Sequence, residues 1–139
     1  MATREQARVA LTTKVNALKA TWLAYTLIVE YDNRMLVNLA TQQNPFLRVG
    51  MVYMDGFQID MSTAPSHRIL GTIVVEAFTK EGGGSKMAND LLQHFYPSLH
   101  MSDAMPPIRT YAAQFKTGRV FDGWQPEAAI IPFWFDSNA

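Results

Sequence analysis

Residues 68–79 read Arg-Ile-Leu-Gly-Thr-Ile-Val-Val-Glu-Ala-Phe-Thr, and no other stretch limits the fold of this chain as strongly. A period of two puts Ile69, Gly71, Ile73, Val75 and Ala77 on one face of a strand and Leu70, Thr72, Val74, Glu76 and Phe78 on the other. β-branched and apolar residues alternating in this way specify a β-strand rather than a helix. Both faces are largely apolar, so neither is suited to water alone. The chain ends on the same theme. In Phe133-Trp134-Phe135 one face takes Trp134 and the other takes Phe133 and Phe135. A closing strand that is aromatic on both sides is either sandwiched between layers or covered by another chain.

The other elements follow from local signals. Thr3 and Gln6 have the spacing of a capping box, in which each side chain satisfies the other's free backbone N–H. Leu11, Val15, Leu18 and Trp22 then fall on one helical face, which predicts a helix over about residues 4–22. Thr26 to Tyr31 and Pro45 to Met54 read as strands, and Asp55-Gly56 as a hairpin turn. Phe57, Ile59 and Met61 alternate with polar residues as a short half-exposed strand should. Glu81-Gly82-Gly83-Gly84-Ser85 breaks the chain before a second helix, from about Ser85 to Tyr96, which Pro97 is expected to end. A strand is expected from Ile108 to Lys116 and a last one from Trp124 to Phe135. Pro126 and Pro132 cannot donate to a ladder, which argues for an edge strand or a bulge there. The order α-β-β-β-β-α-β-β implies one α+β domain over residues 1–139, a mostly antiparallel sheet with two helices packed against it.

Composition narrows the function. Charged residues are 17% of the chain, below the ~25% of an average soluble domain. A surface poor in charge suits contact with other subunits. Twelve basic and twelve acidic residues cancel, which disfavours a globally basic nucleic-acid binder. The cancellation is uneven: residues 1–50 hold six Lys/Arg against three Asp/Glu, and residues 51–139 hold six against nine. There is no cysteine, so disulfides, thiolate nucleophiles and Cys-based zinc sites are excluded. The N-terminal residues carry no apolar core of a signal peptide, and no apolar run approaches the ~20 residues of a membrane helix.

Spacing yields no catalytic or metal site. The run Gly82-Gly83-Gly84-Ser85-Lys86 precedes a helix but lacks the hydroxyl after the lysine that a phosphate-binding loop needs. His67, His94 and His100 have no metal-ligand spacing, there is no G-x-S-x-G elbow, and Glu76 with Asp90 is no more than a conceivable carboxylate pair. The expectation is a binding or assembly module, not an enzyme, with no cofactor.

Several blocks of the chain together resemble a known family, the tail terminator (tail-completion) proteins of long-tailed bacteriophages. Pro45-Phe46-Leu47-Arg48-Val49 is similar to that family's first central strand, and Arg68 to Phe78 to its arginine-to-glycine strand. Gly82-Gly83-Gly84 leading into Met87-Ala88-Asn89-Asp90-Leu91-Leu92 fits its second helix. Gly123-Trp124-Gln125-Pro126 through Ile130-Ile131-Pro132-Phe133-Trp134 fits its closing strand. The match covers about the whole domain and consists of apolar and glycine patterns, not a catalytic signature.

The resemblance implies a subunit that closes into a homohexameric ring on the head-proximal end of the tail tube. The ring stops tube polymerisation and offers the surface to which the filled head joins. Its partners would be itself, the tail tube protein and a head–tail connector or neck protein. No membrane and no sequence-specific nucleic acid is involved, and the lumen leaves room for DNA to pass. The place would be the virion tail, after assembly in the host cytoplasm. The alternatives are a head–tail connector or neck protein and, from another class, a small enzyme or ligand-binding domain. Candidate subunit or tube contacts are Met54, Phe57, Ile59, Met61, Phe133, Trp134 and Phe135. Candidate lumen or partner-facing loop residues are Asp55, Arg119, Phe121 and Asp122, and alanine at Arg119 or Asp122 is expected to leave folding intact.

Overall fold

A computed structural model describes residues 2–31, 37–54, 57–58 and 67–137. Helix α1 (Arg4–Ala20) opens with the expected capping box: the Gln6 N–H donates to Thr3 Oγ1 at 3.1 Å, and the Thr3 N–H donates to Gln6 Oε1 at 3.0 Å. Strands β1 (Val29–Tyr31), β2 (Phe46–Tyr53), β3 (Phe57–Gln58) and β4 (His67–Lys80) follow, then helix α2 (Lys86–Leu99). Strands β5 (Arg109–Thr110), β6 (Gln114–Thr117) and β7 (Trp124–Ser137) complete the sheet. The lateral order is β1-β2-β4-β7-β5; β3 lies beside β4 and β6 beside β7. Among the described residues only the β1–β2 pair is parallel. The protein is an α+β domain whose sheet is mostly antiparallel.

The two 14-residue strands β4 and β7 pair along their whole length, from His67↔Ser137 to Lys80↔Trp124. Alternation then sorts their side chains. Ile73, Val75 and Ala77 on β4, with Ala129, Ile131, Phe133 and Phe135 on β7, are buried in one core. Leu11 and Val15 of α1 and Leu91, Phe95 and Leu99 of α2 fill the same core. Both helices therefore cover one face of the sheet.

Three expectations need correction. Of the two alternatives for the prolines, the edge strand is wrong, because β4 flanks β7 on one side and β5 with β6 on the other; a bulge is present, opposite Pro132. Both prolines are accommodated by parity. The Gly118 N–H donates to the Pro126 carbonyl and the Tyr111 N–H to the Pro132 carbonyl. Each proline thus faces the β5–β6 side, where the pairing stops or slips, and the β4–β7 ladder loses nothing. The single strand expected from Ile108 to Lys116 is split. Thr110 pairs with Phe133 but Gln114 pairs with Ile130, so three residues face two, a bulge opposite Ile131 and Pro132. Finally, Pro97 does not end α2. The helix runs to Leu99, where the His100 N–H closes on the Tyr96 carbonyl. Leu99 is fully buried, and that burial offsets the hydrogen bond that Pro97 cannot make.

Candidate interaction surface

The second face of the sheet carries the even-numbered residues of β2, β4 and β7. At one end it has a small core of its own: Phe46, Phe78 and Trp124 lie under Val37, Leu39 and Ile28. Phe46 and Phe78 stack at 4.8 Å, and the Trp124 Nε1–H donates to the Leu39 carbonyl. Beyond that cap lies an apolar field: Val52 on β2; Leu70, Thr72 and Val74 on β4; Ile130, Pro132 and Trp134 on β7. These residues are half-buried, except Val52, which is 55% exposed. Antiparallel sheets with one solvated face normally present polar residues there. This face presents Leu, Val, Ile, Pro and Trp.

Ion pairs frame the field at both ends. At one end, Arg68 forks onto Asp136, with Nε–Oδ1 at 2.9 Å and Nη2–Oδ2 at 3.2 Å. Its guanidinium also lies 3.9 Å from the centre of the Trp134 ring, and that of Arg109 lies 5.4 Å away. The hydrogen bond to Asp136 pushes the Arg68 guanidinium further above its usual basic range, so it stays charged at any ordinary pH. At the other end, Arg48 bonds the buried Glu30 carboxylate at 2.9 Å, and the Val37 N–H occupies its second oxygen. Between these clusters the field measures about 20 Å by 15 Å, at ~3.3 Å per residue along a strand and ~4.8 Å between strands. That is about 300 Å², the size of the largest apolar patch on many monomers. It is less than the ~800 Å² per partner of a standard interface.

The candidate residues distribute unevenly. Phe133 and Phe135 were expected at a contact, but both are enclosed by the protein's own core and offer no surface. Trp134 lies on the open face. Met54 adjoins that face at its β2 edge, 59% exposed, with its N–H on the Leu70 carbonyl. The structure describes only the backbone of Phe57, paired with Arg68. Asp55, Ile59 and Met61 lie outside the described residues. Arg119 and Asp122 are exposed. Phe121 meets Phe78 edge-on at 5.7 Å and exchanges two backbone hydrogen bonds with Trp124. Asp122 and Gly123 both have positive φ, which makes the tip a type I′ turn. The sequence reading missed the two arginines flanking Trp134. The signal available was their register: Arg68 and Arg109 both fall on the face of Trp134 once the strands pair.

The histidines act as ties. His94 Nε2 lies 2.9 Å from the Leu18 carbonyl, joining α2 to α1, and His100 Nδ1 accepts the Ala113 N–H. Glu76 and Asp90 lie on different layers, with Asp90 held by Lys86 on α2 at 2.9 Å. Among the described residues no three His, Asp or Glu side chains converge in a way that would hold a metal ion.

No protein-family model matches this sequence, and no curated protein matches it. Solved structures do. One of them, whose name carries no functional description, matches 97% of this chain and 96% of its own at a TM-score of 0.69 and 13% identity. At that identity the likeness shows the fold alone.

Proposed function

We propose that this chain is a structural subunit of a bacteriophage tail, a terminator that caps the head-proximal end of the tail tube as a homohexameric ring. The observation that carries the reading is the apolar field of Val52, Leu70, Val74, Ile130, Pro132 and Trp134, which the described residues leave part-exposed. Left in water it would forgo roughly 25 cal/mol for each Å² of apolar surface. A subunit recovers that free energy by burying the field against a neighbour. Three of the four sequence blocks that resemble the terminator family lie on β2, β4 and β7, the strands that build this face; the fourth leads into α2. Ring closure needs two different patches that fit each other around a rotation axis. Function then needs no active site. One surface of the ring copies the end-to-end contact of the tube protein, and the other refuses a further tube ring and receives the neck protein. The work is done in the virion, and assembly takes place in the host cytoplasm.

Tails assembled without this protein test the reading. Overlong tubes support it. Tubes of normal length that fail to join heads place the chain at the neck instead, and unchanged tails overturn both.

A further inference from the structure

We propose that the outer edge of β6 is a strand-addition site that receives β1 of a second copy of this chain. This deepens the ring reading and rests on it for closure.

Backbone parity defines the edge. The Gly118 N–H donates to the Pro126 carbonyl, and Lys116 and Gln114 pair with Ala128 and Ile130 in the same register. Residues 114, 116 and 118 therefore turn their N–H and C=O groups toward β7, and Phe115 and Thr117 turn theirs away from the sheet. The Ala113 N–H, which also points outward, is taken by His100. Those of Phe115 and Thr117 have no partner among the described residues. Natural sheets guard such edges with proline, charge or cover. This one has a single lysine, and it runs beside exposed Phe115, Tyr111 and Met101.

Charge and polarity select the occupant. Two β6 edges meeting about a two-fold axis use both outward residues only when Phe115 pairs with Thr117, and that register sets Lys116 directly opposite Lys116, a repulsive cross-strand pair. A copy displaced sideways without turning over does better. β1 is parallel to β2, and each later step across the sheet reverses direction, so β1 and β6 run oppositely at the two edges. The β1 of such a copy meets β6 antiparallel, with both helix layers on the same side. The Leu47 N–H donates to the Ile28 carbonyl, so Ile28 and Glu30 bond inward and Val29 and Tyr31 face the edge. One row of paired residues crosses the whole sheet: Glu30, Arg48, Glu76, Ala128, Lys116. It starts with a carboxylate and ends with an ammonium. Repeating it sideways brings Lys116 of one copy into register with Glu30 of the next; that carboxylate is buried and already held by Arg48 and the Val37 N–H, so strand direction and outward parity carry the match and the opposite charges only favour it.

Proline at Thr117 removes an outward N–H and leaves the β6–β7 ladder intact. Wild type, Thr117→Pro and Lys116→Glu are compared by light scattering over rising concentration and by occupancy of isolated tube ends, with thermal melts as the control for folding. Expected is association weakened tenfold or more in both variants, with melting close to wild type. Unweakened association of Thr117→Pro overturns the proposal. So does a mixture of Lys116→Glu with wild type that associates more tightly than either alone, because that is the signature of the two-fold pairing. A wild-type chain that associates neither in solution nor on tubes overturns it as well. Tails of normal length capped by intact Thr117→Pro rings would remove this contact and leave the tail reading standing; overlong tails in the absence of the protein bear on that reading alone.

Discussion

Phe133 lies across Gly71. A Cβ built on Gly71 would stand 2.7 Å from two atoms of the Phe133 ring and closer still to the Val52 carbonyl oxygen. The glycine is the space that lets an aromatic from β7 cross β4 and meet Tyr53 on β2 edge-on, at 5.9 Å between ring centres. Gly71→Ala should therefore overpack the core and cost about 1–3 kcal/mol, read from the denaturant midpoint. Adding Phe133→Leu to it should recover part of that loss, because the two residues share one space. The Val52 carbonyl is backbone and cannot yield as far, so recovery stays incomplete.

The neighbours Phe133 and Trp134 should separate stability from assembly. Phe133 is buried, and Phe133→Ala leaves a cavity under the helices costing about 3–5 kcal/mol of monomer stability. Trp134 is on the open face between Arg68 and Arg109. Trp134→Ala should cost the monomer about 1 kcal/mol for the lost cation–π contacts, but association about 2 kcal/mol or more. Melting curves and ring assembly on both variants decide it. Equal melting losses, with assembly unchanged in whatever stays folded, would make Trp134 ordinary packing.

Much of the fold was legible because its signals are local. The Thr3–Gln6 box, the Leu11–Val15 stripe and the alternation in β4 each depend on residues within a few positions. Proline misled because its effect depends on direction, not on presence. Pro126 and Pro132 turn their missing N–H groups toward the carbonyls of Gly118 and Tyr111, which accept from Gln125 Nε2 and the Met101 N–H instead. Pro97 stays within α2 because Leu99, two residues on, belongs to the core. The two-faced aromatics of the closing strand were readable, but which face meets the helices was not. That choice is made by Gly71 and Ile73 across the strand pair, which set Phe133 and Ile131 inward and Trp134 outward. The Arg68–Trp134–Arg109 stack joins three strands and has no local signature at all.

The hairpin tip should separate two exposed residues that the sequence treats alike. Arg119→Ala should leave stability within about 0.5 kcal/mol of wild type, because Arg119 is exposed and has no hydrogen-bond or ion-pair partner among the described residues. Asp122 has φ +47°. Alanine there carries a Cβ into the left-handed region without aspartate's local hydrogen bonding, a cost of about 1 kcal/mol. Asp122→Gly should avoid that cost. If Asp122→Ala melts like Arg119→Ala, the turn is not a constraint on the fold. Impaired tail or head joining in Arg119→Ala at unchanged melting would assign the tip to a partner.

Alkaline pH should loosen the protein through Tyr25. Burial pushes its phenol up to about 12, and the hydroxyl donates to the Pro45 carbonyl at 2.7 Å, tying the segment before β1 to the start of β2. Tyr31 and Tyr53 are raised by burial as well. The native state therefore holds these protons more tightly than the unfolded chain, whose phenols titrate near ~10. The stabilisation is complete below about pH 10 and is lost as pH rises through the folded value. Tyr25→Phe removes both the hydrogen bond and the ionisation. At pH 8 the variant should be less stable than wild type by about 1 kcal/mol, the net worth of one hydrogen bond. Between about pH 10 and pH 12 the gap should close, because wild type then bears the cost of ionising a half-buried phenol and the variant does not. Melts of both proteins at pH 8 and above pH 10 check this. A gap that stays constant across that range would mean that Tyr25 ionises in the folded protein as freely as in water.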